Sequence, residues 1–194
     1  DLSISFRTVA GPVNTVRHTS LTLKAGEILG LVGESGSGKS ITVGALLGLY
    51  TGTSAQVTCQ QLDILGQDCR DYREEDWRAL RGSRVAMIFQ DPMTALNPIL
   101  TIGSQIRAAL TAPKNTKERA IELLKQVGLT DPERRVDQYP HELSGGMRQR
   151  VVIAMALAGE PDIIIADEPT TALDVTTEAQ ILVTLPKLIR QAGL

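Results

Sequence analysis

Glu27-Ile28-Leu29-Gly30-Leu31-Val32 leads into Gly33-Glu34-Ser35-Gly36-Ser37-Gly38-Lys39-Ser40, and the reading of the whole chain turns on this stretch. Residues 27–32 form a short apolar run and read as a buried strand. Residues 33–40 fit G-x-x-x-x-G-K-[ST]. A helix is expected from about 38 to 49, so the motif sits between strand and helix, the context it requires. Gly33, Gly36 and Gly38 let the backbone turn tightly, so that its N–H groups can point at phosphate oxygens. The helix that begins there adds the positive end of its dipole. Lys39 supplies a point charge for β- and γ-phosphates, and Ser40 offers a hydroxyl to Mg²⁺. Glu34, Ser35, Ser37 and Ile41 complete the expected nucleotide-binding stretch.

Upstream of the loop, residues 2–7 and 19–24 alternate apolar and polar, which predicts half-buried antiparallel strands. Downstream, a strand is expected over 55–65, a charged helix over 73–81 and a buried strand over 84–89. From about 91 to 150 the texture is helical and broken by Pro92, Pro98 and Pro113. A helix is expected from 144 to about 158, a third apolar strand over 162–166 and a last helix over 175–191. Pro186 should kink that helix or end it early, since it lacks an amide donor. Strands alternating with helices predict a mainly parallel sheet.

The third strand ends in two carboxylates, Ile163-Ile164-Ile165-Ala166-Asp167-Glu168. Set beside a phosphate loop, Asp167 would stand near the Mg²⁺ shell. Glu168 would then orient a water or accept its proton.

The remaining composition excludes other classes. The chain has 194 residues, 42% hydrophobic and 22% charged, so one compact domain with a buried core is expected. A net charge of −2 argues against a mainly electrostatic nucleic-acid binder. There is no run of 18 apolar residues to span a bilayer, and no leader-like start. Cys59 and Cys69 lack metal-site spacing and read as free thiols.

Leu143-Ser144-Gly145-Gly146-Met147-Arg148-Gln149-Arg150 separates this chain from other phosphate-loop proteins. It resembles the LSGGQ signature of ATP-binding cassette (ABC) proteins, with Met147 where Gln is commonest. Ser144 suits a helix N-cap, and the bare Gly145-Gly146 backbone makes a second anion-seeking helix terminus. The resemblance implies two cassettes packed head to tail around two ATP molecules, each signature completing its partner's site. Gln90 resembles the Q-loop glutamine, a Mg²⁺ and water contact in the family. Leu173 and Asp174, preceded by Ala172, resemble the D-loop. Three longer stretches, 89–98, 139–150 and 166–176, look like those of oligopeptide, dipeptide and nickel importers. The resemblance covers essentially the whole chain. It implies an ABC ATPase fold: a phosphate-loop core with a mainly parallel sheet, an N-terminal antiparallel β subdomain and an inserted helical subdomain. The core would be 1–90 and 151–194, the insertion about 91–150.

The expected function is ATP binding and hydrolysis that powers a membrane importer for peptides or a related small solute, with Glu168, Lys39 and Gln90 catalytic and Ser40, Gln90 and Asp167 holding Mg²⁺. The expected partners are a second cassette, transmembrane permease subunits and, indirectly, a solute-binding protein, at the cytoplasmic face of the membrane. Two readings compete with this one: a soluble ABC ATPase uncoupled from transport, and an inactive nucleotide-binding module. A switch GTPase would need an N-K-x-D segment, and none occurs.

Two family features do not match. An adenine-stacking aromatic is expected near residues 9–11, where Val9-Ala10-Gly11 stand. Phe6 is the nearest ring and suits a strand core equally well. The switch histidine would lie beyond Leu194, since His18 and His141 are both out of place. The domain is therefore expected to be incomplete at its C-terminus, with weak or absent hydrolysis and marginal stability for residues 1–194 alone.

Overall fold

The computed structural model describes residues 1–110, 115–171 and 173–191. Pro113 and Ala172 lie outside the described residues. The chain divides into two compact units, residues 1–81 and 82–194.

In the first unit, β1 (Leu2–Thr8) and β2 (Gly11–Thr19) form an antiparallel hairpin, in which Thr8 faces Gly11 and Leu2 faces Thr19. β3 (Ala55–Cys59) pairs with the other edge of β1. Leu2, Ile4, Val16 and Ala45 are buried together, the last from α1 (Lys39–Leu46). β4 (Asp63–Ile64) and β5 (Gln67–Asp68) make a small hairpin turned by Leu65 and Gly66. α2 (Glu74–Leu80) follows, and Arg81 at its end donates to the carbonyls of Leu47 (2.7 Å) and Gly48 (2.9 Å). That places a cation on the carboxyl end of α1, where the helix dipole favours it.

The second strand is Gly11–Thr19, not 19–24. The hairpin that closes at Gly11 pairs residues 11–19 with β1, and among the described residues no strand pairs with 20–24. Residues 27–32 are not a buried strand: Ile28, Leu29, Leu31 and Val32 are exposed. A strand exists by cross-strand hydrogen bonds, and among the described residues no strand pairs with this run. The expected strand at 55–65 is two pieces, β3 and β4, separated by residues 60–62.

The second unit opens with β6 (Val85–Ile88), which pairs in parallel with β7 (Ile163–Ala166). Between them lie α3 (Pro92–Ala95), α4 (Ile102–Ala109), α5 (Lys117–Gln126), α6 (Pro132–Arg135) and α7 (Gly145–Ala158). Polar N-caps start several of them. Asp91, Thr101, Thr116 and Ser144 each accept an amide of the first turn of their helix. α7 is buried along most of its length and packs on α3, α4, α5, β6 and α8 (Val175–Gln191). Ile102, Ile106, Leu123, Leu124, Val127, Val136 and Val151 form the centre of the core. α8 runs through Pro186 to Gln191, so the proline does not end it. The carbonyl that loses its amide partner belongs to Leu182, which is exposed to water.

Among the described residues, no helix is long and apolar enough to cross a membrane. Leu124 is fully buried in the helical core. Leu124→Ala in the intact protein should cost about 2–5 kcal/mol of stability, through lost transfer energy and a residual cavity. A thermal melt, read beside nucleotide binding, checks the loss.

Candidate functional site

The phosphate-loop residues all lie in the first unit. Gly36 (φ 80°) and Gly38 (φ 91°) are left-handed, a conformation that side-chain-bearing residues rarely adopt. Gly38 is the N-cap of α1, whose hydrogen-bond ladder begins with Thr42 N–H donating to Gly38 O at 2.8 Å. No acidic residue occupies the first turn of α1. The amide end of this helix therefore keeps its attraction for an anion. Gly38 is buried against β2, and a Cβ there would stand 2.9 Å from Thr15 O. Lys39 folds back over the loop, and its Nζ donates to Gly33 O at 2.9 Å and Glu34 O at 3.0 Å. Ser35, Ser37 and Ser40 are exposed, and Ile41 is half-buried beneath the sheet core.

The carboxylates lie in the second unit, at the ends of the parallel pair. The register aligns Ile88 with Ala166. Gln90 and Glu168 each stand two residues past that last pair. Gln90 Nε2 accordingly donates to Glu168 Oε2 at 2.9 Å. Thr171 Oγ1 donates to the same oxygen at 3.1 Å. Glu168 has φ 46° and is followed by Pro169. A left-handed glutamate costs on the order of 1–2 kcal/mol, and such strain collects where a side chain must be aimed. Asp167 precedes it, with its N–H donating to Ile88 O at 3.0 Å.

Leu143 is buried, while Ser144 and Gly145 are exposed at the start of α7. Ser144 Oγ accepts from Met147 N–H at 3.4 Å. Gly145 lies against Leu173, and Gly146 against Thr177. Asp174 caps α8, accepting the Thr177 N–H at 3.0 Å and its hydroxyl at 2.7 Å. These hydrogen bonds from Thr177 hold the Asp174 carboxyl below its usual value.

The structure thus joins Gln90 to Glu168, and the glycines of 145–146 to the segment around Asp174. Sequence reasoning missed two residues in these clusters, Thr171 and Thr177. Their signal is spacing alone: each hydroxyl lies three residues after the carboxylate it serves, one turn on. Phe6 packs edge-on against Tyr50, with ring centroids 5.5 Å apart, inside the first unit's core. His18 pairs with Asp1 at 2.8 Å, and His141 stacks on Tyr139. Cys59 and Cys69 are free thiols. Burial pushes the Cys69 thiol above its ordinary value.

The family profile described as ABC transporter matches residues 16–171. The chain is 51% identical over 194 residues to the Dipeptide transport ATP-binding protein DppD of Escherichia coli (strain K12), covering 96% of this chain and 58% of that protein. It is 50% identical over 187 residues to the Oligopeptide transport ATP-binding protein OppD of Bacillus subtilis (strain 168), covering 94% of this chain and 52% of that protein. The chain therefore spans about half the length of the curated relatives it matches. Among solved structures, it resembles a dimeric post-hydrolysis state of the ATP-binding cassette MJ0796 bound to ADP and Pi. The TM-score is 0.79 at 29% identity, over 100% of this chain and 84% of that one. A second likeness is cbiO1 from Clostridium perfringens, part of the transporter complex cbiONQ, with a TM-score of 0.75 at 25% identity over 99% and 74% of the two chains.

Proposed function

We propose that this chain, which belongs to the ABC transporter family, is the nucleotide-binding domain of an ATP-hydrolysing subunit that powers a peptide importer. Relatives named for dipeptide and oligopeptide transport support the cargo class. In this reading, residues 1–194 form one domain, with its core in 1–90 and 151–194 and a helical subdomain over about 91–150. The observation that most directly supports hydrolysis is the hydrogen bond from Gln90 to Glu168. A carboxylate on a strained backbone, with one oxygen held by an amide and a hydroxyl, has its direction set by its surroundings.

The residues take these roles. The amides of Gly33 to Ile41, with Glu34, Ser35 and Ser37 in the loop, surround the phosphates of ATP. The Lys39 ammonium exchanges its two loop carbonyls for phosphate oxygens, where charge develops in the transition state. Glu168 positions water for in-line attack and takes up its proton. Ser144 to Gly146, flanked by Leu143 and Met147, cap the γ-phosphate held by a second cassette, and Asp174 lies at the same interface.

The donors suit Mg²⁺. Ser40, Gln90 and Asp167 offer hydroxyl, amide and carboxylate oxygens, the hard ligands this cation takes. Gln90 spends its amide nitrogen on Glu168, which leaves its carbonyl oxygen as the ligand end. When bound, Mg²⁺ neutralises charge that builds on the transferring phosphoryl group.

The subunit sits on the cytoplasmic face of the membrane, held there by permease subunits that receive substrate from a solute-binding protein. Phosphate release by the intact purified protein tests the core of this reading. Mg²⁺-dependent turnover is expected, and bound ATP without turnover under any partner condition would refute it. Coupling is assigned to α3, which Asp91 caps directly after Gln90. Met93 is 58% exposed on it. Met93→Asp should cut peptide uptake by about tenfold or more and leave ATP binding unchanged, since a charge in an interface core is poorly tolerated. Uptake in vesicles, measured beside nucleotide affinity, checks it.

A further inference from the structure

The first two residues of α7 are seated on the segment that carries Asp174. A Cβ at Gly145 would stand 3.7 Å from Leu173 Cδ2. A Cβ at Gly146 would stand 2.4 Å from Thr177 Cγ2 and 3.4 Å from its Oγ1. Thr177 itself is not free to turn away. Its hydroxyl donates to Asp174 Oδ2 at 2.7 Å and its N–H to Oδ1 at 3.0 Å, so both carboxylate oxygens hold one residue. A β-branched side chain has one main freedom, rotation about χ1. Fixing the hydroxyl fixes the methyl, and the methyl faces Gly146.

This clasp contributes little to the core. Asp174, Ser144, Gly145 and Val175 are all exposed, and Thr177 is only half-buried. A device built from a charged cap, a locked rotamer and a bare glycine, at the surface, is better explained by placement than by stability.

We propose that Thr177 is a positioning residue: clamped by Asp174, its methyl group sets where the Ser144–Gly146 turn stands relative to Asp174, so that both meet a second cassette as one rigid piece. The inference rests on the proposed function, in which both elements face the partner's nucleotide. Thr177 touches neither ATP nor the reacting atoms. It acts through the turn that does.

The test uses the intact protein with wild-type residues, Thr177→Ala, Thr177→Ser, Gly146→Ala and the double variant Gly146→Ala/Thr177→Ala. Thr177→Ala should lower kcat for ATP about fivefold or more, with KM within about twofold, because its own chain's phosphate loop is untouched. Thr177→Ser keeps the hydroxyl and loses the methyl, and should fall between wild type and Thr177→Ala. The melting temperature of Thr177→Ala should stay near wild type. Gly146→Ala should lower it, and adding Thr177→Ala should restore most of the loss, because the added methyl then fills the vacated space. Wild-type kcat in Thr177→Ala would overturn the proposal. So would kcat, KM and melting temperature all falling together, the mark of a folding role. Additive melting shifts would show that the contact does not exist, and would also overturn it. If wild type itself releases no phosphate, the proposed function fails, and the melting cycle still decides the clasp.

Discussion

Glu168→Gln in the intact protein should lower kcat for ATP hydrolysis by about 10²–10⁴-fold, the usual contribution of a positioned proton acceptor. ATP binding should stay within about threefold of wild type, since phosphate contacts carry binding. The geometry explains the separation. Glu168 Oε2 accepts from Gln90 at 2.9 Å and from Thr171 at 3.1 Å. A glutamine carbonyl oxygen can take over both bonds, because both partners are donors. The side chain is then held where the glutamate was, with an amide nitrogen in place of the second oxygen. That nitrogen cannot accept a proton from water. Phosphate release and nucleotide affinity, measured on one preparation, check the two halves of the expectation. Loss of binding together with turnover would mean that residue 168 shapes the site instead of acting in it. Unchanged turnover would remove Glu168 from the chemistry.

Which parts of this arrangement are legible in the sequence follows from how local their causes are. The loop at 33–40 is legible because its cause is local: glycine spacing and one lysine dictate backbone freedom and charge within eight residues. The helix start at Ser144 is legible for the same reason, and Ser144 does accept the Met147 amide. β6 and β7 are legible as apolar runs, but their register is not. The alignment of Ile88 with Ala166, which brings Gln90 and Glu168 together, depends on residues 78 apart in sequence.

Residues 27–32 fail for the opposite reason. Their apolar pattern states a preference for burial, yet strand structure requires a partner edge, and among the described residues none pairs with them. The shift of β2 to Gly11–Thr19 has a similar source. Alternation over 19–24 is a weak signal, and the hairpin turn after Thr8 overrides it. The left-handed φ of Glu168 has no residue-type signature at all, since glutamate is not selected for that region. Strain of this kind becomes visible only once the strand end and the turn through Thr171 are both in place.

The same locality makes the phosphate loop the place where a single methyl group should do most harm to binding. Gly38→Ala in the intact protein meets two obstacles. Its φ is 91°, a conformation that costs an alanine about 1–2 kcal/mol. The new Cβ would also stand 2.9 Å from Thr15 O and 3.2 Å from Val16 Cγ2. Thr15 cannot retreat cheaply. It lies in β2, its hydroxyl donates to Ile4 O at 3.1 Å, and Val16 faces Ile4 across the hairpin. The loop must therefore move instead of the sheet. Residues 33–37 are exposed, so moving them costs the fold little, and the melting temperature should drop only slightly. The cost reappears when phosphate demands the original backbone, with its amides converging at the start of α1. Overpacking adds about 1–3 kcal/mol to the strain, and the sum corresponds to a loss of roughly 30-fold or more in ATP affinity. Gly36→Ala separates the two causes. Its φ is 80°, but nothing lies within 4 Å of the added Cβ. That variant should lose only the strain component, about tenfold. Titration of both variants with a fluorescent ATP analogue checks the order. If Gly36→Ala binds as weakly as Gly38→Ala, contact with β2 is irrelevant and backbone strain alone governs the loop.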